Sequence, residues 1–341
     1  MAATIKDIAE KTNLSLATIS KYINGGVVLP KNKLAIDQAI DELGFRVNEF
    51  ARSLKTNRSK LIGILIPQWH VAFCAQIITQ VEGLLRQHGY GIIVCDCSGD
   101  EAVGVQVVEF LVSKSVDGII TFPTAFSVKD YLPLTTSKNI PVVFIDGMPR
   151  DLSYDCVMVD NMNAIKKAVS YLIKKGHERI GVVNGPITSL SAQERLAGYY
   201  NAYSEHSLPI DANLIIDGGY ATDITYEAVK KALTSDLNFT ALLTANYEMT
   251  IGAIIAINEI GISIPDELSV IGFDDLQLTQ IIKPRISIIT QPMECIANMI
   301  VDIMLKRLAG NGPDSPQIIR LETGFSEGAS VKEIYSESRS L

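Results

Sequence analysis

The sequence predicts an α/β protein that carries a small all-α head at its N-terminus. A chain of 341 residues has room for two or three domains of about 150 residues each. From residue 61 onward, short apolar segments alternate with amphipathic helical segments, which is the pattern of parallel α/β units. Before that point the chain contains helix signals only, and its net charge has the opposite sign.

The charge of the first 58 residues differs from that of the remainder. This segment has nine Lys and Arg residues against six Asp and Glu, which gives a net charge of +3. The whole chain has 30 basic and 38 acidic residues, so the remainder has 21 and 32, a net charge of −11. This asymmetry indicates either a polyanion-binding head on an acidic body or a chance fluctuation.

The first two helices are predicted from their capping signals. Thr4 and Asp7 match a capping box, which begins a short helix, and the segment 11–14 then makes a turn. Ser15 is placed to cap a second helix, which ends at Asn24 and the two glycines after it.

A third helix is predicted over 31–43, after Pro30 and before a stop at Gly44. Three small helices with a tight turn between the first two predict a helix-turn-helix unit, whose second helix enters a DNA major groove. The alternative is a three-helix interaction module with a solvated basic face.

The second helix is the predicted reading helix. Leu16, Ala17 and Lys21 lie opposite its apolar face, and the Lys21 ammonium can donate to guanine oxygen and nitrogen atoms. Contacts to phosphates, which position a protein without reading sequence, are predicted for Lys6, Ser15 and Thr18.

The segment 47–59 is predicted to join head and body through a short helix over 48–54, with Arg52 near phosphates. Leu54 at its end either wedges into a minor-groove step and kinks the duplex or is a buried linker residue. The complete set of predicted DNA contacts is Thr4, Lys6, Ser15, Leu16, Ala17, Thr18, Lys21, Asn24, Asn48, Arg52 and Leu54.

The body is predicted to form two α/β lobes with a cleft between them, because its strands are too many for one sheet. The predicted strands span 61–67, 91–96, 117–122, 141–146, 157–160, 179–184, 214–217, 241–244 and 269–273. The predicted helices span 76–87, 105–113, 164–174, 192–205, 226–233 and 250–260. We expect the chain to begin its passage to the second set of elements at 157–160.

Polar and aromatic side chains follow many of these strands. Ligands of open parallel sheets bind beyond the carboxyl ends of the strands. Carboxylates and amides there can pair with hydroxyl groups, aromatic faces can cover C–H surfaces, and an arginine can clamp neighbouring oxygens. An Asp at a strand end can equally cap the next helix. The predicted effector contacts are Trp69, Phe73, Asp146, Asp160, Arg195, Tyr220, Asn246, Asp274 and Gln291.

Several motifs along nearly the whole chain resemble those of the LacI/GalR family of bacterial transcriptional regulators. They are the segments 4–9, 15–21, 42–45, 51–54, 116–120, 176–180, 194–199, 270–275 and 290–292. The sequence departs from the family pattern at Lys21, where Arg is usual, at the specificity positions Leu16 and Ala17, at 71–74, and at Tyr247, where the family has Asp.

The resemblance implies a homodimer that binds a pseudo-palindromic operator, with two hinge helices opening its centre through Leu54. It also implies a periplasmic-binding-protein-like body. The expected domains are a DNA-binding domain at 1–46, a hinge at 47–59 and an effector-binding and dimerization domain at 60–341. Within the last, the first lobe covers about 60–160 and 291–322, and the second about 161–290 and 323–341.

Other chemistry finds little support in the sequence. No nucleotide-binding glycine loop, metal-ligand spacing or nucleophile motif is present, so we expect no cofactor, no metal and no enzyme activity. No apolar run reaches the 18 or more residues of a membrane span, and the first ten residues lack the apolar core of a signal peptide. We therefore expect a cytoplasmic protein, at the nucleoid when bound to DNA, with reduced thiols.

These observations predict an effector-responsive repressor of genes for sugar uptake or catabolism, switched by a sugar-like ligand. The alternatives are control of the same scaffold by a purine or nucleoside, or by a phosphorylated protein co-repressor. A more remote alternative is a cytoplasmic solute-binding protein whose N-terminal helices merely pack.

Overall fold

The computed structural model describes residues 3–46, 58–69, 71–122, 133–147, 154–274 and 281–334. The chain divides into two compact units, Met1–Ser59 and Lys60–Leu341. The predicted contacts Asn48, Arg52 and Leu54 lie outside the described residues.

The N-terminal unit contains helices α1 (Ile5–Thr12), α2 (Leu16–Ile23) and α3 (Pro30–Leu43). Their apolar faces meet in a small core of Ile8, Ile19, Ile36 and Ala39, each at most 2% exposed.

The predicted caps of these helices are confirmed. The Thr4 backbone N–H donates to the Asp7 carboxylate at 2.7 Å, and the Asp7 N–H donates to the Thr4 hydroxyl, which completes the capping box. Gly44 ends α3 with a φ of 59°, a left-handed conformation that glycine adopts without steric cost. Helix α3 begins at Pro30, one residue earlier than predicted, because proline fits the first helical position.

The C-terminal unit alternates strands and helices along the chain. Its strands are β1 (Leu61–Ile66), β2 (Gly91–Asp96), β3 (Gly118–Thr121), β4 (Val142–Ile145), β5 (Asp155–Val159), β6 (Ile180–Asn184), β7 (Ile215–Asp217), β8 (Ala241–Thr244), β9 (Ser269–Phe273), β10 (Ser287–Thr290), β11 (Ile318–Leu321) and β12 (Gly324–Ser326). Its helices are α4 (Ala72–Gln87), α5 (Glu101–Ser113), α6 (Asn161–Lys174), α7 (Leu190–Glu205), α8 (Thr222–Leu233), α9 (Tyr247–Ile260) and α10 (Met293–Leu308), and a 3₁₀ turn covers Ala212–Leu214.

The described strands form two six-stranded sheets, one in each lobe. The order in the first is β11-β5-β4-β3-β1-β2, and all of its pairs are parallel. The order in the second is β12-β10-β9-β8-β6-β7, with β12 antiparallel to β10 and the other pairs parallel. The predicted α/β class with parallel sheets is thereby confirmed.

Both faces of each sheet are covered by helices, as buried parallel sheets require. Helices α4 and α10 pack on one face of the first sheet and α5 on the other. In the second lobe, α6 and α7 cover one face, and α8 and α9 the other. Two glycines permit close helix packing there: a Cβ on Gly198 would lie 2.2 Å from the Met162 carbonyl oxygen, and one on Gly252 would lie 2.3 Å from that of Thr222.

Some predicted element boundaries were wrong. Helices α4, α5, α6, α8 and α9 begin three or four residues before the predicted starts at 76, 105, 164, 226 and 250, and α7 begins two residues before 192. The predicted strand 157–160 is β5, which pairs with β4 and β11 in the first sheet, so the passage to the second lobe begins after it. Strands β10 to β12 and helix α10 were not predicted.

Candidate functional site

The predicted reading helix presents a solvent-exposed face. Leu16 is 48% exposed, and Ala17 and Lys21 are also exposed, while Ile19 on the opposite side is fully buried. The sequence argument for which side chains point outward is therefore confirmed, whereas their contacts to bases stay a prediction.

The predicted phosphate-contacting hydroxyls also stabilise the head itself. The Ser15 hydroxyl caps α2 by accepting the Thr18 backbone N–H at 3.2 Å, and the two hydroxyls lie 2.9 Å apart. The Asn24 side chain donates to the Ser20 carbonyl at 2.7 Å and so closes the other end of α2. Lys6 is exposed on α1.

A second candidate site lies where the carboxyl ends of the two sheets approach each other in the body. Asp146 follows β4 of the first sheet, and Asp274 follows β9 of the second. Both carboxyls lie within electrostatic range of the Arg195 guanidinium and of each other. The structure thus brings these three predicted residues together from both lobes.

Arg195 is held in place by the protein. It is 3% exposed, its Nε donates to the Asn161 side-chain oxygen at 2.8 Å, and one terminal nitrogen donates to the Ala245 carbonyl. Its guanidinium stacks on the Phe273 ring with its central carbon 4.2 Å from the ring centre. Arg195 therefore supplies fixed positive charge beside the two carboxyls, and part of its donor set is already engaged.

Burial dominates the protonation behaviour of the two carboxyls. It raises the pKa of Asp274 to about 6, although Arg195 and a 2.7 Å hydrogen bond from the Gln291 amide favour the ionised form. It likewise raises the pKa of Asp146 to about 6 against the opposing effect of Arg195. Both groups therefore titrate close to physiological pH, which is unusual for Asp.

Three side-chain oxygens in this region are buried and have no hydrogen-bond partner among the described residues. They are Asp146 Oδ1, Asn184 Oδ1 and Gln291 Oε1. Each lies at or just after the carboxyl end of a strand. Buried polar atoms are nearly always paired in proteins, so three acceptors at one end of the sheets point to a ligand that brings several donors.

Three of the predicted effector contacts have a left-handed backbone conformation. Asp146, Tyr220 and Asp274 have φ values of 58°, 56° and 72°. Asp adopts this region more readily than most residues, but an aromatic residue there is an outlier that the surrounding structure must hold. Such outliers cluster at functional sites.

A small hydroxyl cluster lies next to Tyr220. Its phenol oxygen is 3.4 Å from the hydroxyl of Ser189 and equally far from that of Ser191, and its ring covers Gly185. Ser189 and Ser191 were not among the predicted contacts. The sequence signal for them was the polar run around the start of α7, in which Ser189 is also the N-cap.

Other predicted contacts already have partners within the protein. Asp160 caps α6 by accepting hydrogen bonds from the backbone and side-chain N–H groups of Asn163. Here the Asp at a strand end serves as a helix cap, which was the alternative to a ligand contact. Phe73 is only 9% exposed and packs edge-to-face on Phe122 at 6.0 Å. Trp69 is 61% exposed, and its backbone N–H donates to Asp96.

Asn246 also has partners in the protein. Its side-chain oxygen caps α9 by accepting the Met249 N–H at 2.9 Å, and its amide nitrogen donates to Glu248 at 2.8 Å. Sequence reasoning missed Glu248, as it missed the pair between Glu194 and Arg320, whose closest atoms are 2.7 Å apart. Neither carries a motif, and both pairings depend on tertiary structure.

Metal sites and membrane-spanning helices are both absent from the described part of the chain. No group of three or more His, Cys, Asp or Glu residues there is arranged to hold a metal ion. No helix there combines the length and the apolar character that crossing a membrane requires.

Comparison with known proteins identifies the family. The profile described as periplasmic binding proteins and sugar binding domain of LacI family matches residues 59–323. The HTH-type transcriptional repressor PurR of Histophilus somni (strain 129Pt) is 29% identical over 97% of this chain and 100% of its own length. Catabolite control protein A of Priestia megaterium is 28% identical over 92% of this chain and 95% of its own.

A solved structure shows the same fold over nearly the whole chain. The lac repressor dimer bound to operator and the anti-inducer ONPF aligns with a TM-score of 0.85 at 22% identity, covering 97% of this chain and 100% of that one. The PurR relative and the lac repressor are named as transcriptional repressors, and the prediction that this chain is not an enzyme is confirmed. The chain belongs to the LacI family of transcriptional repressors.

Proposed function

We propose that this protein binds a pseudo-palindromic operator as a homodimer and that a small sugar-like ligand in the cleft between its lobes switches that binding. In this proposal the DNA-binding domain covers residues 1–46 and the hinge covers residues 47–59. The domain at residues 60–341 binds the effector and forms the dimer. The regulated genes serve sugar uptake or catabolism, and the protein acts in the cytoplasm at the nucleoid.

The observation that carries the effector proposal is the set of buried acceptors Asp146 Oδ1, Asn184 Oδ1 and Gln291 Oε1. A sugar supplies several hydroxyl donors in a compact volume, which matches acceptors spread over both lobes. The ring of Tyr220 provides a surface for its C–H groups. Arg195 is stacked on Phe273 and hydrogen-bonded to Asn161. In this proposal its positive charge therefore mainly balances the neighbouring carboxyls and does not serve to bind an anionic ligand.

A purine is the second candidate because several relatives carry the name PurR. A nucleobase also presents N–H donors and a flat face for an aromatic ring. It offers fewer donors than a sugar, however, and would leave more of the three buried oxygens unpaired.

The DNA proposal rests on the exposed face of α2 and on the basic charge of the head. Lys21 lies on that face in the last turn of α2, and the head has a net charge of +3 while the rest of the chain has −11. Positive charge attracts phosphates and makes affinity fall with rising salt. The acidic body keeps nonspecific contacts to the same DNA weak.

A thermal-shift screen with the full chain tests the effector proposal. The panel contains neutral sugars, the corresponding sugar phosphates, nucleosides and purine bases. An effector present at 100 times its Kd stabilises the folded chain by about 2.7 kcal/mol. We expect a neutral sugar to give this shift and Asn184→Ala to reduce it. A shift from purines alone would select the second candidate, and no shift from any member would refute a small-molecule effector of these classes.

The DNA proposal can be tested by fluorescence anisotropy with promoter DNA taken from the neighbourhood of the gene that encodes this protein. We expect binding at low salt, a change in affinity when the screened effector is added, and loss of binding when residues 1–58 are deleted. The deletion variant is the matched control, because it should keep the thermal shift with the effector. Absence of DNA binding in the full chain, with and without the effector, would contradict the proposal.

A further inference from the structure

Glu248 connects the two lobes of the body through one carboxylate. Its Oε1 accepts the backbone N–H of Ala72 at 2.9 Å, and its Oε2 accepts the side-chain amide of Asn246 at 2.8 Å. Ala72 begins α4 on the first sheet, whereas Glu248 and Asn246 belong to the start of α9 on the second. The Glu248 residue is 8% exposed, so these contacts are largely shielded from water.

The position of this carboxylate is favourable for both helices. The first N–H groups of a helix lack partners within it, and Val71, the residue before α4, provides no side-chain cap. Glu248 of the opposite lobe takes that capping role. It also lies in the first turn of its own helix α9, so the positive ends of two helix dipoles converge on one negative charge. A buried carboxylate requires such partners.

The sequence beside this contact departs from the family pattern at one position. The family pattern places an acid directly after the position of Asn246, and this chain has Tyr247 there. Glu248 follows Tyr247, and from its position it reaches both Asn246, two residues earlier, and the start of the helix of the other lobe.

We propose that Glu248 is a positioning residue that latches the two lobes together and orients Asn246 for the effector. This inference rests on the proposed effector site for the role of Asn246, whereas the latch itself needs no ligand. Breaking the bond to Ala72 frees the start of α4 to move away from α9. Breaking the bond to Asn246 frees its amide nitrogen. The same carboxylate therefore both holds the lobes together and positions a residue that contacts the proposed effector.

Hydrogen exchange in the full chain without ligand tests the latch directly. The Ala72 amide should exchange slowly in the wild type and roughly 10- to 100-fold faster in Glu248→Ala, the range expected for a hydrogen bond to a charged group. Glu248→Gln has only one acceptor oxygen and keeps one of the two bonds. The exchange rate of the Ala72 amide in this variant should therefore lie between the rates in the wild type and in Glu248→Ala. Glu259→Ala, on the same helix but paired with Lys230 of its own lobe, is the control and should leave the rate unchanged. Equal Ala72 exchange in the wild type and both Glu248 variants would overturn the proposal.

A proline at position 72 removes the donor and keeps the helix. Proline is well accepted at the first helical position, and Val71 already has the extended conformation that precedes proline readily. We expect Ala72→Pro to lower the stability of the wild type to unfolding but to have little further effect in the Glu248→Ala background, because Glu248→Ala already removes the acceptor of the Ala72 N–H. Additive losses in the double variant would show that the two residues act independently and would overturn the latch.

A third measurement separates this inference from the proposed function. With a neutral sugar identified in the thermal-shift screen, Glu248→Ala should weaken binding more than Ala72→Pro does, because only the former also releases Asn246. Equal weakening would refute the orienting role. If no sugar binds, the proposed effector fails while the exchange experiment still decides whether the latch exists.

Discussion

Replacing Asp274 with Asn is expected to change the pH dependence of the body's stability. Asp274 is 8% exposed and has a φ of 72°, a conformation that Asn adopts as readily as Asp. The Asn side-chain oxygen can also keep the 2.7 Å hydrogen bond from Gln291. The substitution therefore removes the ionisable group and leaves the backbone and this contact in place.

The magnitude follows from the pKa of the buried carboxyl. Burial raises the pKa of Asp274 from its ordinary 3.8 to about 6. At about 1.36 kcal/mol per pH unit, this corresponds to about 3 kcal/mol. Because the folded state holds the proton more tightly than the unfolded state, this stabilisation is complete below pH 3.8 and is lost as the pH rises through 6. Between pH 4 and pH 7 the wild type should lose about 2 kcal/mol relative to Asp274→Asn, somewhat less than the full effect because the unfolded carboxyl is already more than half ionised at pH 4.

Urea unfolding at constant ionic strength and protein concentration measures this difference. The chain has one tryptophan, Trp69, which lies in the body and reports its unfolding by fluorescence. Asp236→Asn, in an exposed turn, is the control and should leave the pH profile unchanged. A free-energy difference between the wild type and Asp274→Asn that stays flat from pH 4 to pH 7, or that moves in favour of the wild type, would refute the reasoning.

Three further predictions concern the head and the cleft. Tyr22→Phe removes the phenol hydrogen bond to Asp37 and should destabilise the head by about 1 kcal/mol, seen as faster hydrogen exchange of the α2 and α3 amides. Arg195→Met leaves the nearby buried carboxyls without their fixed cation and should cost about 3 kcal/mol in urea unfolding at neutral pH, with a smaller loss at pH 5. Lys21→Ala should weaken operator binding by about 1–3 kcal/mol in anisotropy titrations and reduce the preference over scrambled DNA, whereas an equal loss on both DNAs would indicate a phosphate contact.

Much of the fold could be predicted because its signals are local. The capping box at Thr4, the cap at Ser15 and the stop at Gly44 each act within a few residues, and all three occur in the structure. The starts of α5 and α6 were predicted late because the caps Asp100 and Asp160 and small or polar residues come before the apolar stripe becomes visible. Strand β12 has only three residues and pairs antiparallel with β10, so no periodicity could reveal it.

The candidate site could be predicted only in part for a related reason. Strand ends identify which residues can meet, and Asp146 and Asp274 do meet near Arg195. They do not identify which polar side chains are used within the protein, and Asp160 proved to cap α6. Contacts between lobes, such as that of Glu248, join residues far apart in sequence and leave no local pattern.

The charge balance of the candidate site bears on the chemistry of the proposed effector. Among the described residues, Glu194 and Arg320 form a close ion pair, while Asp146, Asp274 and Glu248 lie in the region of the Arg195 cation. Glu248 is stabilised by the two helix ends that meet on it, so its charge is largely balanced by backbone dipoles. The two aspartates share one guanidinium and hold their protons more tightly than ordinary carboxyls, because a second full charge in this buried region is costly. A ligand phosphate would add almost two more negative charges beside them. Under the proposed function we therefore expect a neutral donor-rich molecule to bind better than its phosphorylated form, because the same buried carboxyls that lower the stability of the body at neutral pH would repel the phosphate.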